Sequence, residues 1–228
     1  PLLEQVGKKV FLTEAGRVVH ARANTVIREL AEADESLAAL QGLTEGRLPI
    51  AVVSTAKYFA PPLLARFLQA HPAVQLELAI DNREAVIAKL GANEVDLAIM
   101  GRPPAELDTA SQAFAPHPHV VIAPACHPLA RRRHIRLEDL VKERFVVREP
   151  GSGTRTLLEK HFADRGLTVP VAMQMASNET IKQAVIAGLG LSFLSRHTLG
   201  LELAAGRLVA LDVVGMPLLR EWYVVHLA

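Results

Sequence analysis

Arg47-Leu48-Pro49-Ile50-Ala51-Val52-Val53-Ser54-Thr55 is the stretch on which the reading of the fold turns. An apolar run of strand length ends in two small hydroxyl residues. Pro61-Pro62 then open a segment with Leu64, Phe67 and Leu68 at helical spacing, stopped at Pro72. Val74, Leu76, Leu78 and Ile80 alternate with Gln75, Glu77 and Ala79, which is the period of a strand. A helical segment from about Arg83 to Ala92, a strand from Val95 to Met100 and the turn Gly101-Arg102-Pro103-Pro104 complete a βαβαβ order. Such an order predicts a parallel sheet with a ligand crevice at the carboxyl ends of its strands.

Downstream, a second unit of the same kind begins near His119. Val120-Val121-Ile122-Ala123 and Phe145-Val146-Val147 read as strands. A helix from Thr154 to Arg165 ends at Gly166, and strand Val171 to Met175 leads into a helix from Asn178 to Ala187. Gly188-Leu189-Gly190, strand Leu191 to Leu194 and a last strand from Trp222 to Leu227 follow.

Upstream, Val6 to Leu12 reads as a short turn and the end of a strand. A long helix follows from Thr13, its N-cap, to Gln41, with Gly42 as the stop. Its apolar positions Val19, Ala23, Val26, Leu30, Ala33, Leu37 and Leu40 alternate spacings of four and three, a heptad seam suited to pairing with a second copy. Packing of that face on its own domain is the competing reading.

Bulk properties narrow the function classes. The 228 residues suffice for two small lobes. Charges interrupt every apolar run, so no membrane partner is expected. No signal peptide is visible, and the single cysteine, Cys126, excludes a disulfide framework; a cytoplasmic location is expected. Cys126 is expected to be a buried or lobe-edge thiol. A net charge of +1 is low for a complete nucleic-acid-binding domain.

Several motifs mark a candidate site. Ser54-Thr55, Asn82-Arg83 and Gly101-Arg102 follow three successive predicted strands and converge. Arg148-Glu149-Pro150-Gly151-Ser152-Gly153-Thr154-Arg155 precedes a helix, and its N–H groups can face an anion, flanked by two arginines. The loop lacks the lysine and spacing of a P-loop. Asn178 opens another helix, where capping is the competing role. Ordinary capping is also open for Ser54, Thr55 and Ser152, and a solvated surface role for each arginine. The candidate effector set is therefore Ser54, Thr55, Asn82, Arg83, Gly101, Arg102, Arg148, Ser152, Gly153, Thr154, Arg155 and Asn178. No acid–base pair or nucleophile stands out, so no catalytic residue and no cofactor is assigned. His117, His119, His127 and His134 lack zinc-ligand spacing; His117-Pro118-His119 reads as a crossover between lobes, and Arg131-Arg132-Arg133 as a solvated loop.

Three stretches resemble LysR-type transcriptional regulators: Phe11-Leu12-Thr13-Glu14-Ala15-Gly16, Glu94-Val95-Asp96-Leu97-Ala98-Ile99 and Ala187-Gly188-Leu189-Gly190-Leu191. Tyr58-Phe59-Ala60-Pro61-Pro62-Leu63-Leu64, Asp81-Asn82-Arg83-Glu84 and Ile99-Met100-Gly101-Arg102-Pro103-Pro104 look like the CbbR-type regulators of carbon-fixation operons. The resemblance implies an α/β fold of two Rossmann-like lobes of the periplasmic-binding-protein type II kind, preceded by a long linker helix. It implies a remnant of a winged helix-turn-helix domain in 1–12 and a linker and dimerisation helix in 13–45. Lobe I is then expected at 46–117 with 220–228, and lobe II at 118–219. The implied partners are an anionic small-molecule effector, a phosphorylated metabolite or NADPH, and further copies in a homodimer or homotetramer. DNA would be bound through the N-terminal domain of the full-length protein; Lys8 and Lys9 would stand near phosphate, with a solvated basic turn as the equal alternative. A periplasmic-type solute-binding protein is the alternative, against which the missing signal peptide and the heptad helix speak; an enzyme on a hinged fold is a third class, against which the lack of an acid–base pair or nucleophile speaks.

Overall fold

The computed structural model describes residues 1–7, 9–40 and 46–228, without the side chains of Val6, Arg28, Glu29 and residues 31–40. Lys8, Gln41 and Gly42 lie outside the described residues. Strands β1 (Leu3–Val6) and β2 (Lys9–Leu12) form an antiparallel hairpin rather than a lone strand end. Helix α1 (Glu14–Leu40) follows. Thr13 caps it, its Oγ1 accepting from Gly16 N at 3.0 Å.

Lobe I is built on β3 (Gly46–Val53), which pairs in parallel with β4 (Val74–Asp81) on one side and β5 (Leu97–Met100) on the other. Helices α2 (Ala60–Ala70) and α3 (Arg83–Gly91) make the crossovers. Pro61 and Pro62 sit in the first turn of α2, where a missing N–H costs nothing. Ala51, Val52, Val86, Leu90, Ala98 and Met100 form the sealed core of this lobe.

The second unit does not start afresh at His119. Strand β6 runs unbroken from Thr109 to Pro124, through both prolines of Pro116-His117-Pro118. Its antiparallel partner β11 (Leu218–Leu227) contributes residues 223–225 to the edge of β5, so this long ribbon belongs to both lobes. Helix α4 (Leu137–Leu140), strands β7 (Phe145–Arg148) and β8 (Val171–Met175), and helices α5 (Gly153–Ala163) and α6 (Asn178–Ile186) build the remainder of lobe II. Strand β9 (Ser192–Ser195), helix α7 (Gly200–Ala204) and strand β10 (Leu208–Ala210) complete it. β7 and β8 are parallel, whereas β9 and β10 both pair antiparallel with β6. One core packs Phe145 and Phe162 with Leu140 and Leu191, and a second packs Ile181, Leu194 and Leu199 behind α6. No described helix is long and apolar enough to cross a membrane.

Candidate effector site

Each strand of lobe I delivers a turn to one side of the sheet. Ser54 follows β3, Asn82 follows β4 and Gly101 follows β5. Asn82 caps α3, its Oδ1 accepting from Ala85 N at 2.9 Å. The Arg83 side chain spans the gap to the third turn, donating to the carbonyls of Arg102 and Pro103 and lying 3.5 Å from Met100 Sδ. Burial lowers its affinity for a proton, partly offset by Glu106. A guanidinium remains charged under such a shift, and Arg83 holds the 101–103 turn in place.

Lobe II presents the end of β7 and the start of α5. Arg148 is 3% exposed and spends every nitrogen. Nε and Nη2 donate to the two Glu149 carboxylate oxygens at 2.7 Å each, and Nη1 donates to Asn178 Oδ1 at 2.9 Å. Nη2 also reaches across the cleft to Ser54 Oγ at 3.0 Å. Ser54 thus accepts from Arg148 and keeps its own O–H to donate. Ser152 is the N-cap residue of α5 but makes no side-chain cap bond. The first-turn N–H groups of a helix have no intrahelical acceptor, so this uncapped end is disposed to receive an anion. Thr55 likewise makes no cap bond to the 3-10 turn Ala56–Tyr58 that follows it.

These turns enclose a cavity of about 150 Å³ between the lobes. From lobe I, Ser54, Thr55, Asn82, Arg83, Gly101 and Arg102 line it; from lobe II, Arg148, Ser152, Gly153 and Thr154 do. Two of the twelve candidates lie elsewhere. Arg155 is turned along α5, with Nε 2.7 Å from Glu159 Oε1 and Nη1 bonded to Gln174 Oε1 and the Arg148 carbonyl. Asn178 sits behind Arg148 as its acceptor, and the cap of α6 is its neighbour Ser177, whose Oγ accepts from Thr180 N.

His117, His119, Thr156, Leu157, Lys160 and Arg220 also line the cavity and were not anticipated as site residues. Thr156, Leu157 and Lys160 stand three, four and seven residues after Gly153, on one face of α5, so helical spacing carried their signal. Arg220 faces His117 in the register of β11 on β6, a pairing without local sequence signature. The cavity is thus lined by Arg83, Arg102, Arg148, Lys160 and Arg220, and by no carboxylate among the described residues.

A second set of contacts joins the lobes outside the cavity. The Glu179 carboxylate on α6 takes Lys57 Nζ at 2.8 Å and the Tyr58 hydroxyl, both from the turn after β3. Burial alone would raise that carboxyl, but hydrogen bonds from Lys57 and Tyr58 outweigh it and hold its pKa at about 2. Lys182 Nζ stands 5.1 Å from the Tyr58 ring centroid.

Other expectations fare differently. Cys126 is exposed, because it falls in the turn after β6 and not against a lobe core. Arg131, Arg132 and Arg133 are exposed, with Arg132 on Asp139 at 3.1 Å and Arg133 near Asp212 at 3.8 Å. On α1, Val19, Ala23, Val26 and Leu30 are exposed together, forming the described half of the seam; the side chains of Ala33, Leu37 and Leu40 lie outside the described residues.

The LysR substrate binding domain, as a family, matches residues 41–228. The chain belongs to the LysR family of transcriptional regulators. It is 49% identical over 99% of its length to the RuBisCO operon transcriptional regulator of Allochromatium vinosum, covering 74% of that protein. It is 48% identical to the HTH-type transcriptional regulator CbbR of Rhodospirillum rubrum, over 99% of this chain and 74% of the relative. The regulatory domain of CcmR from Synechocystis PCC6803, solved in complex with 2-PG, is 43% identical over 81% of this chain and 88% of that one, with a TM-score of 0.78. The two-lobed fold of LysR effector-binding domains is thereby shown, as the resemblance implied.

Proposed function

We infer that this LysR chain is the effector-sensing and oligomerisation part of a cytoplasmic regulator of carbon-fixation genes, and that a small phosphorylated metabolite binds between its lobes. The observation that carries the reading is the cavity lining: five cationic side chains, hydroxyls from both lobes, the uncapped start of α5 and, among the described residues, no carboxylate. Hydroxyl and N–H donors fixed around a tetrahedral dianion, with arginine nearby, are how proteins hold phosphate. The 2-PG held by the CcmR domain is a ligand of that class. A cavity of about 150 Å³ is near the size known to accept benzene and suits a small ligand.

Contacts from both lobes make the ligand sensitive to lobe orientation, and it shifts that equilibrium by its differential affinity. Helix α1 then carries the change to DNA-binding domains through a paired seam. On this reading residues 1–12 belong to the edge of a winged helix-turn-helix domain, 46–117 with 220–228 form lobe I, and 118–219 form lobe II. Thermal denaturation with 2-phosphoglycolate tests the effector class. Saturation at a hundred times Kd stabilises by about 2.7 kcal/mol, and glycolate, lacking the phosphate, leaves the midpoint unmoved. Equal shifts by the two compounds overturn the phosphate assignment.

A further inference from the structure

The lobe crossover carries two imidazoles that the phosphate reading does not use. His117 and His119 project from the same face of β6 and both line the cavity. The His117 ring lies flat on the Trp222 indole, centroids 3.6 Å apart and planes 16° from parallel. Gly101 makes room for it, since a Cβ there would meet His117 Nδ1 at 2.8 Å. Both His117 nitrogens are sealed and unpartnered among the described residues, so this ring is a support and not a contact.

His119 differs. Its Nδ1 lies 3.2 Å from the His117 carbonyl oxygen. A carbonyl only accepts, so Nδ1 carries the proton and Nε2 is left with a lone pair. Nε2 has no hydrogen bond among the described residues, yet it is not among the sealed atoms. With the residue 3% exposed, the open space it meets is the cavity it lines. Phe193 fixes the ring from the other side, 5.4 Å away and 15° from parallel. Burial holds the imidazole pKa down at about 4 against the pull of the His117 carbonyl, with Arg220 and His197 adding repulsion, so the ring is neutral at pH 7.

A neutral nitrogen lone pair repels phosphate and carboxylate oxygens and accepts from O–H. We propose that His119 Nε2 accepts a hydrogen bond from an alcohol of the effector, so that the cavity selects hydroxylated phosphate esters over their deoxy counterparts. The inference rests on the phosphate reading above and adds the hydroxyl to it.

The test is a cycle of one ligand atom against one side chain. The chain is titrated calorimetrically with 3-phosphoglycerate and with the phosphate ester of 3-hydroxypropionate, which lacks only the alcohol, and with 2-phosphoglycolate as reference. The expected preference for the hydroxylated ester is about tenfold, the scale of one net hydrogen bond in a buried site. His119→Phe keeps an aromatic ring against Phe193 and removes the acceptor; it abolishes the preference while still binding the deoxy ester. His119→Gln, whose amide oxygen reaches the Nε2 position, restores part of it. Equal binding of both esters by the unmodified chain, or a preference that survives in His119→Phe, overturns the proposal and leaves the phosphate reading intact. Binding of 2-phosphoglycolate without binding of 3-phosphoglycerate also overturns it. If none of the three binds, the phosphate reading fails and this inference with it.

Discussion

Arg148 Nη2 donates to Ser54 Oγ at 3.0 Å, a bond between the end of a lobe II strand and the end of a lobe I strand. It makes the two halves of the cavity share one polar network. Removing either end has different consequences. Ser54→Ala deletes a hydroxyl that faces the ligand and leaves Arg148 its three other bonds, so effector affinity falls roughly tenfold with little change in stability. Arg148→Ala strands the sealed Asn178 and deprives the half-buried Glu149 carboxylate of its partner, and the larger loss of stability is expected there, about 1–3 kcal/mol for the unsatisfied group. Urea denaturation beside calorimetry separates the two. A Ser54→Ala variant as unstable as Arg148→Ala would show that the bond serves packing alone.

The arginines divide by what already occupies them. Arg102→Ala removes a rim cation with no side-chain carboxylate bonded to it among the described residues, and a loss of roughly ten- to a hundredfold in affinity for 2-phosphoglycolate is expected. Arg155→Ala acts only through the Arg148 carbonyl it holds, and the loss is smaller. Arg131→Ala, on the exposed loop, changes nothing measurable. Titration of the three variants checks the order, and an Arg131 effect equal to that of Arg102 would move the anion site to the basic loop.

Much of this was readable in the sequence, and the exceptions share a cause. Strand β4 announces itself by its alternation, and β3 and β5 by continuous apolar runs of strand length. The turns that follow them were found from strand order alone, which is why Ser54, Asn82 and Gly101 fall in one cavity. The first half of β6 is hidden in the sequence because His117-Pro118-His119 reads as a crossover between lobes; pairing with β11 makes it a strand. His119 escaped for the same reason, its role being set by a backbone carbonyl two residues away and a phenylalanine on β9. Arg155 and Arg148 look equivalent as flanking cations, but helical geometry hands Arg155 to Glu159 one turn on.

Acid should destabilise the chain in a window that belongs to its histidines. Burial lowers His117 to about 2 and His119 to about 4, so both stay neutral in the fold. In the unfolded chain they take up protons near pH 6.5, so the unfolded state gains as pH falls below that value. Stability is full above about pH 7 and declines from there down; His119 contributes a loss of about 2 kcal/mol at pH 5. The Glu179 clasp, with its carboxyl at about 2, persists throughout that window. Thermal midpoints measured from pH 8 to pH 4 should fall for the unmodified chain and fall less steeply for His119→Phe, in which His117 still contributes. A slope unchanged by that substitution would assign the acid limb to other groups.

Helix α1 exposes Val19, Val26 and Leu30 at 47%, 55% and 65%, which suits a face awaiting its own copy. The chain is expected to sediment as a dimer or larger, and Leu30→Glu to shift it toward monomer by placing like charges in the seam. A monomeric unmodified chain at tens of micromolar would remove α1 as a pairing element.

A crystal structure of the chain grown with 2-phosphoglycolate decides whether a phosphorylated anion sits between the lobes. Phosphate density is expected within hydrogen-bond distance of Ser54, Thr55 and the first-turn N–H groups of α5. Density for the phosphate at Arg131 to Arg133, or a cavity left without ligand at saturating concentration, would contradict that placement.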